Sequence, residues 1–445
     1  MSRFSVWGNS LLQKLLSSKN VSTVPSFVSL PRDTLIEEET LPYYKPEQYY
    51  AVNIGDVYNA RYQIAGKLGY GAYSTNWLCQ DLQYVAFLNI PSTPASFFRD
   101  NKYRVLKVST MIPEFPTATE RELKIYEHLS QVDSIHPGQS LIRELYDSFD
   151  LQGSAGKHHC LVLQSMHMTL LEMMRLNPRP FGLPLLKLTL KRLLLALDFL
   201  HNEAGIIHTG KTLHYISCRT ESIANRSFLD LKTDNLMLTL EDDTMLADFA
   251  KAEAKDPSPQ KQVDRSRTIY RSRRFLRPLK GNSYGLPILC DFGEARIGKT
   301  QESGPFVQPH IYRAPEIIFE MPWGSAVDIW NVWDLFEGEH LFGDIFDTKG
   351  SHDPFKHIAR MAALIGPPPS DFVNRSETTD QCFDSNGAWI AHKDTAIPSI
   401  SLESIEKRLS GQEKESFIQF LKSMLKWLPE ERKTAAQLLE DPWLL

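Results

Sequence analysis

A change of hydrophobic period divides this chain. Arg61 to Leu68 (R-Y-Q-I-A-G-K-L) alternates in the manner of a half-buried strand. The glycine-bearing turn G-Y-G-A-Y-S follows, and N-W-L-C-Q-D-L resumes the strand pattern, so the piece reads as a hairpin. Y-R-V-L-K-V-S-T (Tyr103 to Thr110) and H-H-C-L-V-L-Q-S-M (His158 to Met166) are further strands. Between them, Thr119 to Val132 places apolar residues at 123, 125, 126 and 129, which is helical spacing. Past Met166 the chain becomes mostly helical, with Leu185 to His201 the longest clear run. Strands first and helices later predict an α+β chain: a small β-rich lobe joined to a larger, mainly helical one.

The 445 residues give room for one large or two to three ordinary domains. Net charge of -5 supplies no global attraction for nucleic acid or anionic membrane, so no direct nucleic-acid partner is expected. No apolar stretch is long enough to span a bilayer. The cysteines at 79, 160, 218, 290 and 382 form no C-x-x-C pair, which suits a reducing compartment. Residues 1–32 carry Arg3, Lys14, Lys19, Arg32 and many serines without an acid, the composition of an amphipathic presequence or of a disordered tail. Mitochondrial, cytoplasmic and nuclear addresses therefore stay open. Charge turns acidic at I-E-E-E-T (Ile36 to Thr40), and order is expected from about Tyr50.

Three segments look inserted: Tyr84 to Phe98, Gly210 to Leu229, and Ala252 to Pro287. The last contains V-D-R-S-R-T-I-Y-R-S-R-R-F-L-R-P-L-K-G and reads as a solvated surface loop. The expected organisation is a tail over 1–49, an N-lobe over 50–165 holding insert 84–98, and a C-lobe over 166–445 holding inserts 210–229 and 252–287.

Candidate chemistry lies in an ordered series of short motifs. Leu68, Gly69, Gly71 and Ser74 form a loop whose glycines let backbone amides approach phosphate oxygens. Taken alone, that loop is equally a plain hairpin turn. Lys107 in V-L-K-V is a strand lysine, and Glu122 in the next helix is its candidate partner. D-L-K-T-D-N supplies Asp230, Lys232 and Asn235; L-C-D-F-G-E-A-R supplies Asp291; Y-R-A-P-E supplies Glu316.

In this order the motifs resemble those of the eukaryotic protein kinases from about Tyr50 to Leu445, including D-I-W at Asp328 to Trp330 and the closing P-E-E-R-K-T-A-A-Q-L-L-E-D-P-W-L-L. Within that family the chain is most similar to the SR-protein kinases of fungal type. The residues carrying this are Y-Y-A-V-N-I-G-D-V-Y-N-A-R-Y-Q-I-A-G-K-L-G-Y-G-A-Y-S-T, the H-T at His208-Thr209, Ser74 at the third glycine position, and an insert before D-F-G. The resemblance implies a two-lobed kinase fold, ATP and Mg²⁺ as cofactors, and a protein substrate, Arg/Ser-rich in the SR-protein kinases; oligomeric state stays open. It implies that Lys107, fixed by Glu122, places the α/β-phosphates and that Asn235 and Asp291 hold Mg²⁺. It also implies Asp230 as acceptor of the substrate hydroxyl proton, Lys232 as balance for charge on the moving phosphoryl group, a Glu316–Arg432 ion pair, and Asp328 as acceptor of catalytic-loop amides. Thr209 replaces the usual arginine, so activity is not expected to depend on activation-loop phosphorylation.

The pattern breaks at three places. Asn76 stands where a valine normally roofs the adenine. D-I-W-N-V-W-D-L-F-E-G is about one helical turn short. Most seriously, Gly210 to Leu229 separates Thr209 from Asp230, residues that should adjoin. A loop of about 20 residues costs only about 2–3 kcal/mol in closure entropy, yet a misplacement of ~1 Å costs catalysis roughly 10²-fold. The ends of the segment also permit a genomic explanation. Gly-Lys can be encoded GGT-AAG, an intron start, and Leu-Asp can be TTA-GAC, an intron end; excision restores H-T-D-L-K-T-D-N. Q-Y-V-A-F to S-F-F-R permits the same. The accidental G-I-I-H-T-G-K-T phosphate-loop pattern lacks the strand–loop–helix context it needs and is set aside, although T-M-L-A-D-F imitates its acidic strand. Two readings remain: an active serine/threonine kinase, or an inactive kinase-fold binding or scaffold protein.

Overall fold

The computed structural model describes residues 27–83, 103–111, 117–176, 182–210, 234–242, 244–275, 285–302, 307–331, 341–347 and 350–445. Two lobes are present. The first is an antiparallel sheet of β1 (Val57–Tyr58), β2 (Tyr62–Tyr70), β3 (Ser74–Asp81), β4 (Tyr103–Ser109), β5 (Leu145–Gln152) and β6 (Lys157–Leu163), in the order β1-β2-β3-β4-β6-β5. Helix α1 (Thr117–Leu129) packs on it through Ile125 and Tyr126. Strand alternation sorts the side chains. Tyr62, Ile64, Trp77, Leu106, Val108 and Val162 bury on the outer face, whereas Val105, Leu161 and Leu163 join the core of the second lobe.

That second lobe is mainly helical. After α2 (Leu170–Leu176), helix α3 (Leu183–Asp198) buries Leu186, Leu190, Leu193, Leu194 and Leu197, a stripe at helical spacing. It ends in a wider turn, Phe199–Glu203, just before β7 (Ile206–Ile207). Strands β8 (Leu236–Leu238) and β11 (Pro287–Leu289) pair antiparallel, as do β7 and β12 (Arg296–Ile297), forming the floor between the lobes. Helices α5 (Pro315–Ile318), α6 (Ala326–Trp330), α7 (Pro354–Ile365), α8 (Gly411–Met424) and α9 (Ala435–Leu439) belong to this lobe, with single helical turns at Ser370–Val373 and Leu402–Ile405. No helix among the described residues is long and apolar enough to cross a membrane.

Two expectations are corrected. Order begins before Tyr50: Ser29 bridges to Gln260, and Glu37–Thr40 forms a 3-10 turn with Glu38 buried. Glu38 pairs with the fully buried Lys67 of β2, and Glu39 lies 2.5 Å from Lys261. Nor is the 252–287 segment a solvated loop where it is described. T-M-L-A-D-F opens helix α4 (Thr244–Lys255) rather than a strand, and a hairpin follows, β9 (Gln260–Gln262) with β10 (Thr268–Tyr270). Phe249 of α4 lies so close to Gly66 that a Cβ there would sit 2.7 Å from its ring, which is why β2 needs glycine at its bulge. Tyr270 stands edge-on to Trp77 on the outer face of the sheet. A basic run that sequence alone assigns to water is held by aromatic burial and by carboxylates from the acidic turn. Inserts 84–98 and, beyond Gly210, 210–229 lie outside the described residues.

Candidate active site

The cleft between the lobes gathers most of the candidates. Strand register sets Lys107 opposite Asn76, so both project from the same face of the sheet. Lys107 Nζ donates to both carboxylate oxygens of Glu122 on α1, at 3.0 and 2.7 Å. Burial acts to lower the pKa of this ammonium. The Glu122 and Asp291 carboxylates outweigh it, and the net shift is upward, so Lys107 is a fixed cation.

Asp291 has a left-handed backbone (φ 63°), and its Oδ1 accepts from Gly293 N at 3.4 Å. That conformation is costly for an L-residue and is held by its neighbours. Phe292 is fully buried, edge-on to Tyr126 of α1 and to His208. Arg121 Nη1, also from α1, donates to Gly293 O at 2.9 Å and pairs with Glu294 at 2.8 Å. Helix α1 is thereby tied to β4 at one point and to D-F-G-E at another. Sequence reasoning missed Arg121; its position one residue before Glu122 was the available signal.

Asn235 is buried and precedes β8, and its backbone carbonyl accepts from Cys290 N at 2.8 Å, which docks it beside Asp291. Its side-chain Nδ2 has no hydrogen-bond partner among the described residues. An orphaned buried amide is costly unless a ligand engages it. A carboxylate and an amide oxygen suit a hard cation such as Mg²⁺. No group of three His, Cys, Asp or Glu side chains able to hold a metal occurs among the described residues.

The β2–β3 turn is open above and braced behind. A Cβ at Gly69 or Gly71 would meet nothing within 4 Å, which leaves room for phosphate oxygens. Behind the loop, Thr110 Oγ1 donates to Ala72 O at 3.0 Å and Tyr49 Oη to Gly71 O at 3.1 Å. Leu68 at the loop's start packs beside Leu78 and Phe249. Ser74 is buried and opposite Ser109 in register. The role of Tyr49 was not legible in the sequence, because a tyrosine preceding the first strand carries no periodic signal.

Asp328 of α6, buried, organises the other side. Its carboxylate accepts from His208 N at 2.8 Å, Thr209 N at 2.7 Å and His201 Nε2 at 2.9 Å. Thr209 is buried in a left-handed conformation (φ 61°), and its hydroxyl donates to Glu294 O at 2.7 Å. Glu316 and Arg432 make a buried two-point ion pair at 2.6 and 2.7 Å, with the guanidinium over Trp330. Asp230 and Lys232 lie outside the described residues. Cys79, Cys160, Cys290 and Cys382 are buried thiols; burial pushes Cys290 up to about 12, which removes it as a nucleophile.

Comparison with known proteins finds protein kinases among the chain's relatives. The family model described as protein kinase domain matches residues 280–444. A serine/threonine protein kinase of Aspergillus fumigatus is 38% identical over 425 residues, covering 94% of this chain and 93% of its own length. The serine/threonine-protein kinase SRPK of Physarum polycephalum is 28% identical, over 92% of this chain and 91% of its own. Human SRSF protein kinase 3 is 22% identical, over 92% and 90%. A crystal structure of a kinase domain superposes with a TM-score of 0.59 at 21% identity, covering 89% of this chain and 99% of the other.

Proposed function

The chain belongs to the serine/threonine protein kinases and is similar to the SR-protein kinases, and on that premise we propose that it transfers the γ-phosphoryl group of ATP to serines in Arg/Ser-rich proteins. The observation carrying the transferase reading is that Lys107, Glu122 and Asp291 occur together in one electrostatic unit, with the ion pair closed. Asp291 and Asn235 would hold Mg²⁺, which would supply charge neutralisation on the phosphates. Lys107 orients the α/β-phosphates, and Glu122 keeps that ammonium in place. The Gly69–Gly71 backbone covers the phosphates. Asp230 accepts the proton of the incoming serine hydroxyl, and Lys232 steadies the developing charge. Asp328 fixes the backbone at His208 and Thr209, from which the catalytic loop departs.

Incubation of the full chain with Mg-ATP and an (Arg-Ser)₈ peptide tests the proposal. Phosphoserine in the peptide is expected with wild type and absent with Asp291→Asn. Mg-ATP binding by calorimetry without transfer to any peptide would instead mark the inactive scaffold, which the interruption between Thr209 and Asp230 favours.

A further inference from the structure

The basic segment between β8 and β11 contains Arg-Ser-Arg twice, at Arg265-Ser266-Arg267 and Arg271-Ser272-Arg273. The two serines sit in different surroundings. Ser266 is exposed at the tip of the β9–β10 hairpin, and its hydroxyl donates to Asp264, itself exposed, at 2.8 Å. Ser272 is partly buried, and its hydroxyl donates to Glu37 of the acidic turn. Its following residue, Arg273, is bound to Glu253. Both hydroxyls meet a carboxylate, but Ser266 and its Asp264 lie open at the hairpin tip, whereas Ser272 is half-buried under Glu37 beside an arginine already paired.

Resting on the Arg/Ser reading above, we infer that Ser266 is a phosphorylation site of this chain, modified by a second copy of it. A second copy is required because the hairpin packs through Tyr270 on Trp77, on the sheet face opposite to Lys107. The hydroxyl therefore cannot reach its own cleft. In the transfer, the bond from the γ-phosphorus to the bridging oxygen of ATP breaks and a bond to Ser266 Oγ forms. The hydroxyl proton passes to the general base and ADP leaves. The phosphate then adjoins Arg267, whose Nη2 donates to Tyr49 O at 2.6 Å, while Tyr49 Oη holds Gly71 O at 3.1 Å. Arg267 turning to the phosphate releases Tyr49, and with it the brace behind the nucleotide loop.

The test mixes wild-type chain with tagged Asp291→Asn chain and Mg-ATP, beside the (Arg-Ser)₈ peptide, and maps phosphopeptides by mass spectrometry. Phosphate on Ser266 of the tagged chain, none there without wild type, none in a tagged Ser266→Ala/Asp291→Asn chain, and little on Ser272 is the expected result. The phosphorylated wild type should show a KM for ATP raised about fivefold with kcat unchanged. A phosphorylated peptide with bare Ser266 overturns the inference and leaves the Arg/Ser reading standing. Phosphate on neither overturns both. Equal phosphate on Ser272 overturns the selectivity, and an unchanged KM overturns the link to Tyr49.

Discussion

Acid should loosen the segment that carries Tyr312 to Glu316, because three imidazoles are packed beside it. His310 stacks on His352 with ring centroids 4.2 Å apart, and His352 Nε2 meets His357 Nδ1 at 3.2 Å. Arg313 lies against His310 at 3.1 Å, and Phe342 faces the His357 ring at 5.3 Å. His357 is fully buried. Burial first, then the neighbouring His352, Arg313, His310 and Arg360, holds it neutral well below the usual histidine range. Burial and then Arg313 lower His310 to about 4, and burial, then His310 and Arg313, lower His352 to about 3. The unfolded chain takes up a proton near pH 6.5 that the folded chain refuses, so stability is full above that pH and falls as pH drops below it. For His357 alone, moving from pH 7.5 to 5.5 costs about 1.4 kcal/mol, which is RT ln(1 + 10) for an unfolded pKa one unit above the final pH. His310 and His352 act in the same direction but are partly open to water and add less. Urea unfolding of wild type and His357→Phe, followed by tryptophan fluorescence at both pH values, isolates this proton. The wild type should lose about 1.4 kcal/mol more than the variant. Parallel losses in the two proteins would refute the assignment.

Glu316→Gln leaves Arg432 buried without a counter-charge, and urea unfolding should show a loss of about 3–5 kcal/mol. Asn76→Val replaces an amide on the Lys107 face with an apolar side chain, and calorimetry should find Mg-ATP binding tighter by about 1–3 kcal/mol; weaker binding would mean that the amide has a partner there. Deleting residues 210–229 joins Thr209 to Asp230, and kcat toward the (Arg-Ser)₈ peptide should rise roughly 10²-fold. Transcript sequencing across codons 205–235 shows whether the segment is retained in the message, and genomic codons lacking GT after the first base of Gly210 exclude the intron explanation.

Local pattern made the sheet and the Lys107–Glu122 pairing legible, because strand period and short motifs fix which residues share a face. Glu316 with Arg432 and Asp328 with His208 were reachable only through family resemblance, since contacts across more than a hundred residues leave no local trace. The 27–49 segment and the basic hairpin were misjudged for a common reason. Each looks hydrophilic in isolation, and each is buried by charges on the other. Composition reports the polarity of a segment but not whether its counter-charges lie nearby. Tyr49 and Arg121 each donate a hydrogen bond to a distant backbone carbonyl, which no residue pattern announces.

The acidic turn also decides where this protein can be cut. Lys67 and Lys261 are both buried, and the carboxylates of Glu37, Glu38 and Glu39 surround them, with Thr34 O accepting from Lys261 at 2.9 Å. A chain started at Tyr50, where the strand pattern begins, would lose all of these carboxylates and leave Lys67 and Lys261 without the counter-charges they pair with. The smallest piece able to fold is therefore set by electroneutrality, and it reaches upstream to about Thr34.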